Sequence, residues 1–530
     1  MNKIDEKKLE ELFPPVLILI LGYVITIIYF YINGDRLISS DSASDLILAN
    51  LLNRDGGILS HTWFYSTELI IFDTQFVFKP ALLLFPNDWH MARTVAHAVL
   101  MALYLISMLW VIKVSKIGVS GLWAVAACSL PIGWRYVVTV SWGMFYVPNF
   151  VFTFAMIALL IMAVQSKNKA ALYSVLLFVV SFMSGVRTLR TMLQVNIPLV
   201  AVAVIMLLCR KYKEFLKCDD SRIRKIDKPL MFYTAIMFVA SVLGYCYNSF
   251  HLMKGYFFTN YNMSTWERFS LNQMISVTGD FIEAYGWHEG TTIISIAGIS
   301  SCFGLLLGIA VTLSVIFLFW KHSKILSDIE YFIVLYTLVS TVICIFIFAH
   351  NAVYFPQYWV PIMPFGYMCL AIAFKYIAAN YDFLKKMKYG LCCGALLVFV
   401  STAWLMIPLG RNEVDTWTLL PVISWIEDQG YTKGVSSFWY GNFTTEISDG
   451  KIEMWVVDDF EHMNIYTFLQ ETSHVEFPDD DLFVILSQKE YEELSDSVDQ
   501  YIIHQTPEFT VLGFEAGEDY RGIITEAYKE

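Results

Sequence analysis

Apolar residues fall in long runs separated by short polar stretches, and this spacing predicts membrane spans before any motif is considered. A run of roughly 17 to 25 predominantly apolar residues is long enough to cross a bilayer as a helix. Eleven such runs are found, near 15–32, 92–112, 118–133, 146–165, 171–187, 193–209, 230–248, 292–320, 330–349, 356–377 and 389–408. The third is short and the eighth long. Two stretches break the rhythm, 33–91 after the first run and 409–530 after the last.

Within 33–91, SSDSASDLILANLL has the marks of a helix start. Ser40, Asp41 and Ser42 can accept from free N–H groups, and Ala43, Leu46, Ile47 and Leu51 form one apolar stripe. The pattern predicts an amphipathic helix in the membrane interface with Asp41 at its head. Asp35 and Asp55 fit turns, the latter because Gly56 and Gly57 follow it.

The 409–530 stretch alternates strand and helix patterns. Helices are expected near 415–429, over NFTTEIS, near 460–471 and at KEYEELSDSV. Strands are expected at GVSSFWYG, KIEMWVV and LFVILS, with a closing hairpin around Glu518. The chain thus reads as a polytopic α-helical membrane domain over 1–408, with a first outer loop at 33–91, followed by a soluble α/β domain over 409–530.

Composition agrees, at 57% hydrophobic and 16% charged residues with mean hydropathy +0.54. Charge then orients the spans. With the N-terminus in the cytoplasm, every inner segment is basic, from Lys3, Lys7 and Lys8 through the cluster of Arg210 to Lys228 and on to Lys385, Lys386 and Lys388. An odd number of spans places 409–530 outside. That domain holds 26 Asp and Glu against 6 Lys and Arg, a net of −20 that leaves +8 to the other 408 residues. The first run has no small-residue cleavage site after it and is expected to stay as an anchor.

All nine cysteines precede residue 409, and an outer domain without a disulfide fits a bacterial plasma membrane. GxxxxGK[ST], HExxH and GxSxG are absent, which removes ATP-driven transport, zinc proteolysis and α/β-hydrolase chemistry. No outer basic and aromatic surface suits nucleic acid.

Five stretches carry a resemblance. They are D-x-A-x-x-x-x-x-A at Asp41, Ala43 and Ala49, WFYSTEL at 63–69, SGVRTLRTMLQVNIPL at 184–199, QYWVPIMPF at 357–365 and SSFWYGNFTTEISDGKIE at 436–453. In these and in its layout the chain resembles the bacterial GT-C fold glycosyltransferases that use polyprenyl-phosphate sugars, related in layout to protein O-mannosyltransferases and aminoarabinose transferases. The resemblance implies a donor sugar on a polyprenyl phosphate in the bilayer and a hydroxyl acceptor on an envelope glycan, lipid or protein. It implies Asp41 as the base. Many members carry a second acidic residue directly after that position, where Ser42 stands here, so metal binding and Asp45 as the base both stay open.

The reaction needs cations for the departing phosphate. Arg187 and Arg190 stand against the inner-side bias and have the planar donor fork that suits phosphate, or else they snorkel to headgroups. Lys79 is a weaker candidate. Arg93 and His97 lie one turn apart on the second span and can share a cavity-facing side. Glu68, His288 and Glu289 are candidates for the acceptor site, and Trp63, Tyr65, Trp439 and Tyr440 for stacking on sugars. The outer loops show no His/Asp cluster at ligand spacing, so neither a metal nor another cofactor is expected. Two other classes stay open: a lipid-linked glycan polymerase, ligase or flippase, and a non-catalytic binder of envelope glycan.

Overall fold

The computed structural model describes residues 6–130, 133–142, 144–166, 168–212, 224–259, 266–288, 292–320, 323–351, 356–380 and 418–528. Among them, nine helices are long and apolar enough to cross a membrane: Glu10–Leu37, Trp89–Ser115, Met144–Gln165, Ala170–Arg187, Met192–Lys211, Asp227–Gly255, Ile296–Trp320, Asp328–Ala349 and Tyr358–Ile377. The chain is a multi-pass membrane protein. The run expected to span at 118–133 forms only the ten-residue helix Val119–Cys128, about 15 Å long, which is half a hydrocarbon core. That at 389–408, and with it the boundary at 408, lies outside the described residues.

Two compact units are built from interleaved segments. One comprises Met1–Tyr29, Ala98–His251 and Met263–Ile407 and holds most of the spanning helices. Its tightest packing is between the helices Ala170–Arg187 and Asp227–Tyr247, where glycine lets backbones touch. A methyl group on Gly185 would sit 2.0 Å from the Ser241 carbonyl oxygen, and one on Gly244 would sit 2.1 Å from that of Phe182.

The other unit comprises Phe30–His97, Leu252–Asn262 and Pro408–Glu530. Helix α1 (Glu6–Leu37) runs into it, followed by α2 (Ser40–Asp55), the short strand β1 (Phe64–Tyr65), α3 (Gln75–Leu84) and α4 (Trp89–Ser115). Strand β2 (Phe257–Phe258) pairs in parallel with β1. In the C-terminal segment, β3 (Lys433–Ser437), β4 (Glu453–Val457), β5 (Leu482–Ser487), β6 (Ile502–Gln505) and β7 (Phe509–Phe514) form one sheet in the order β4-β3-β5-β7-β6. Strands β3, β4 and β5 are parallel, and β7 is antiparallel to both its neighbours.

Alternate residues feed two cores. Val435, Trp455, Val457, Val484, Leu486 and Leu512 face one way; Met454, Phe483, Ile485, Phe509 and Val511 face the other, where they meet Ile38 and Ala43 from the entry of α2. The first loop is thereby part of the C-terminal segment's own core.

Several local expectations are corrected. The strand expected over GVSSFWYG ends at Ser437, and a helix, α5 (Phe438–Ile447), takes over. The helix expected near 460–471 is absent, because Met463 and Leu469 adopt left-handed backbone angles, φ 51° and 55°, that a helix does not tolerate. The helix expected at KEYEELSDSV is split into Gln488–Glu492 and a tighter turn at Asp496–Tyr501. The last hairpin turns between β6 and β7, and Glu518 instead precedes a helix, Tyr520–Ala527, capped by Asp519. Asp35 lies inside α1 and pairs with His90.

Candidate active site

Helix α2 begins where Ser39 leaves helical geometry, at φ −112° and ψ 165°. Its hydroxyl accepts from the Ser42 amide at 3.3 Å, and the Ser42 hydroxyl accepts from the Ser39 amide at 2.9 Å, a closed capping box. Asp41 is therefore not the cap. It is the second residue of the first turn, where the helix N-terminus favours a negative charge. Burial surrounds α2 rather than following one stripe: Ser40, Ser42, Ala43, Ser44, Leu46, Ala49, Leu51 and Leu52 are all buried, with both α3 and α5 packed against it.

One turn on, Asp45 meets a concentration of charge. Asp73, just before α3, and Asp41 act on it as anions, Arg93 on α4 as a cation, and the Thr74 side chain hydrogen-bonds to it. Burial first, then Asp73, pushes the Asp45 carboxyl up to about 8, so at neutral pH it carries its proton. Asp73 is buried and accepts from the Thr74 amide at 2.9 Å. A carboxyl whose proton affinity is raised by its neighbours, beside other carboxyls at a helix start, is equipped for acid–base chemistry.

Arg93 fixes this turn from α4. It is 2% exposed, donates through Nε and Nη2 to both carboxylate oxygens of Glu446 on α5, and through Nη2 to the Ser42 carbonyl at 2.8 Å. The Phe78 ring lies 5.1 Å from its guanidinium carbon. Burial pushes the Glu446 carboxyl up to about 7 against the pull of Arg93. The Ser40 hydroxyl donates to the Phe438 carbonyl at the other end of α5. One turn beyond Arg93, His97 stacks on Phe30 at 4.4 Å and is fully buried, and neither ring nitrogen has a hydrogen-bond partner among the described residues.

The remaining candidates are dispersed. Lys79 donates to the carbonyls of Leu52, at 3.1 Å, and Gly57, closing the C-terminal end of α2. Glu68 is half-buried in the loop before α3. Trp63 and Tyr65 are 1% and 5% exposed, so they offer no ring face to a sugar, whereas Trp439 is 58% exposed.

Arg187, Arg190 and His288 belong to the other unit. Arg187 ends the helix Ala170–Arg187 and is buried among protein groups rather than snorkelling, donating to the Asn149 side chain and to the Phe145 carbonyl at 2.9 Å. Arg190 is half-buried over the rings of Tyr146 and Tyr358, at 5.4 and 5.8 Å. His288 exchanges hydrogen bonds with Ser301, its amide donating and its carbonyl accepting, each at 2.8 Å. Glu289 lies outside the described residues.

Two members of the cluster escape sequence reasoning. Asp73 stands in no motif, and Glu446 sits inside the SSFWYGNFTTEIS run with nothing to mark it as the partner of a residue 353 positions away.

No family model and no curated protein matches the chain. Among solved structures it is similar to ArnT from Cupriavidus metallidurans in the apo state, at 10% identity and a TM-score of 0.55, covering 96% of this chain and 98% of that one. The fold is GT-C. ArnT bound to undecaprenyl phosphate matches to the same degree, at 10% identity and TM-score 0.55, over 93% of this chain and 97% of that one. An apo oligosaccharyltransferase from Archaeoglobus fulgidus matches at 11% identity and TM-score 0.48, over 92% and 70%. Within the GT-C frame of this chain, the charged cluster of Asp41, Asp45, Asp73 and Arg93 stands at the start of the helix that follows the first span.

Proposed function

We propose that this protein is an inverting glycosyltransferase of the plasma membrane of a bacterium. It moves a sugar from a polyprenyl-phosphate donor to a hydroxyl of an envelope glycan, lipid or protein on the outer side. The N-terminus is cytoplasmic and residues 409–530 are extracytoplasmic. The observation that carries the reading is the carboxyl cluster at the head of α2 in a chain of the GT-C fold. That a protein of this fold binds undecaprenyl phosphate supports a polyprenyl-phosphate donor.

In the reaction the acceptor hydroxyl attacks the anomeric carbon from the face opposite the phosphate. The new C–O bond forms as the old one breaks, the polyprenyl phosphate leaves as an anion, and the acceptor's proton passes to a carboxylate. Asp41 is that base. Asp45, protonated at neutral pH, stands beside it as a donor rather than as a second anion. The leaving phosphate calls for cations, and Arg187 and Arg190, each with a planar donor fork, are the candidates for that role. A monophosphate leaving group is stabilised by such cations without a metal.

The test compares purified wild type with Asp41→Asn in detergent, using a panel of undecaprenyl-phosphate sugars and total envelope acceptors. Transfer by wild type, unchanged in EDTA, and its loss in a folded Asp41→Asn protein are expected. Equal transfer by both moves the base to Asp45 or Glu68. Loss in EDTA restored by Mn²⁺ or Mg²⁺ overturns metal independence, and no transfer by either protein with a competent panel favours a binding or transport role.

A further inference from the structure

The C-terminal segment meets the 30–97 segment at an exposed ion pair, Arg54 with Glu471, and at a buried one, Arg93 with Glu446. Glu446 and Arg93 are 3% and 2% exposed, and each carboxylate oxygen receives its own N–H, the fork geometry that fixes both partners in orientation as well as distance. The same Arg93 nitrogen that meets Glu446 also donates to the Ser42 carbonyl, inside the first turn of α2. Eight residues earlier on α5, about 12 Å along its axis, the Phe438 carbonyl accepts from Ser40. The turn carrying Asp41 is thus gripped on either side by the two ends of one helix. A buried ion pair adds little net stability over well-packed apolar side chains of the same size, so what this pair supplies is geometry.

We infer that Glu446 is a positioning residue for the transfer reaction: through its grip on Arg93 it holds the first turn of α2, and with it Asp41 and Asp45, in place. The inference rests on the reading that those carboxyls do the chemistry.

The pair also sets the charge that Asp45 meets. Asp45 is faced by Asp73 from the segment before α3, by Arg93 from α4 and by Asp41 on its own helix, with Thr74 hydrogen-bonded to it. Glu446 is faced by Arg93 and His90 from α4 and by Asp35 from α1. Arg93 favours the ionised form of Asp45, and Glu446 neutralises Arg93. Glu446→Gln leaves the Arg93 charge unbalanced, so Asp45 ionises at lower pH; Arg93→Gln removes that charge, so Asp45 ionises at higher pH. Two halves of one contact then move the same midpoint in opposite directions. A purely packing role moves it in neither variant, or in both alike.

The experiment uses the full chain in proteoliposomes and follows the infrared band of the protonated Asp45 carboxyl, assigned by its loss in Asp45→Asn, through a pH titration, alongside sugar transfer. Opposite midpoint shifts are expected, with transfer reduced on the order of 10²-fold in each single variant and the donor KM little changed. Midpoints that stay put or move together overturn the inference. Where a single variant fails to fold, the double variant Arg93→Gln with Glu446→Gln decides, because its two amides leave no buried charge; transfer at the wild-type rate there overturns the inference, and loss of transfer in a folded protein supports it. If Asp41→Asn transfers normally, the functional reading fails while the infrared arm still decides whether Glu446 controls Asp45.

Discussion

Raising the pH should destabilise this protein through Asp45, the reverse of what an ordinary carboxylate does. In the unfolded chain this carboxyl ionises near 3.8, whereas in the fold burial, Asp73 and Asp41 hold it up to about 8. Between those values the folded state keeps a proton that the unfolded state has released, so the contribution of Asp45 is fully present below about pH 4 and is lost as pH rises to about 8. Between pH ~6 and ~8 the limiting slope is about 1.4 kcal/mol per pH unit, and it flattens as the folded midpoint is reached. Asp45 keeps some solvent contact, which brings the expectation to about 1–2 kcal/mol. Thermal unfolding of the detergent-solubilised protein, followed by tryptophan fluorescence across that range, should show the melting point of wild type falling by a few degrees relative to Asp45→Asn, whose amide imitates the protonated acid and does not titrate. Parallel curves for the two proteins, or a wild type that gains on the variant as pH rises, would refute the reasoning.

The two arginines of the 184–190 turn should separate. Arg187→Gln leaves the Phe145 carbonyl and Asn149 short of a charged donor and should cost about 1.5–3 kcal/mol of stability. Arg190→Gln loses ring contacts worth about 1 kcal/mol but should abolish the stabilisation that added undecaprenyl phosphate gives in a thermal-shift measurement; equal behaviour of the two variants would contradict this division. Gly450→Ala should destabilise by about 1–3 kcal/mol, because at φ 72° its new methyl would lie 2.6 and 2.9 Å from two atoms of the Trp89 ring. A melting point equal to that of wild type would show that Trp89 can move aside.

The spanning helices were legible because twenty consecutive apolar residues have few alternatives to crossing a bilayer, and nine of the eleven expected runs appear as such helices among the described residues. The run at 118–133 misled because hydropathy does not register where a helix stops; Ser129 ends it, folding its hydroxyl back onto the Ala126 carbonyl at 2.7 Å. Strands β4 and β5 were visible as buried apolar runs, whereas Phe438, Trp439 and Tyr440 look like strand residues and begin a helix, since tertiary packing overrides β propensity. At the candidate site, the start of α2 and Asp41 could be read locally. The role of Ser39 as cap was missed by one position. Asp73 and Glu446 could not be read at all, because what distinguishes them is contact with residues remote in the chain, which no local pattern encodes.

The unit that contains α2 is assembled from segments hundreds of residues apart, and this sets a schedule for making the protein. When 30–97 leaves the ribosome, Phe443 and Met454, which pack in one cluster with Ile38 and Ala43, do not yet exist, and neither does the carboxylate that will meet Arg93. Through the synthesis of about 350 further residues, at about 5–20 residues per second, the 30–97 segment waits with a buried-type arginine and an apolar face uncovered. The support of the carboxyl cluster is completed only when the last part of the chain arrives, so an interrupted or prematurely ended polypeptide would carry Asp41 without the framework that orients it.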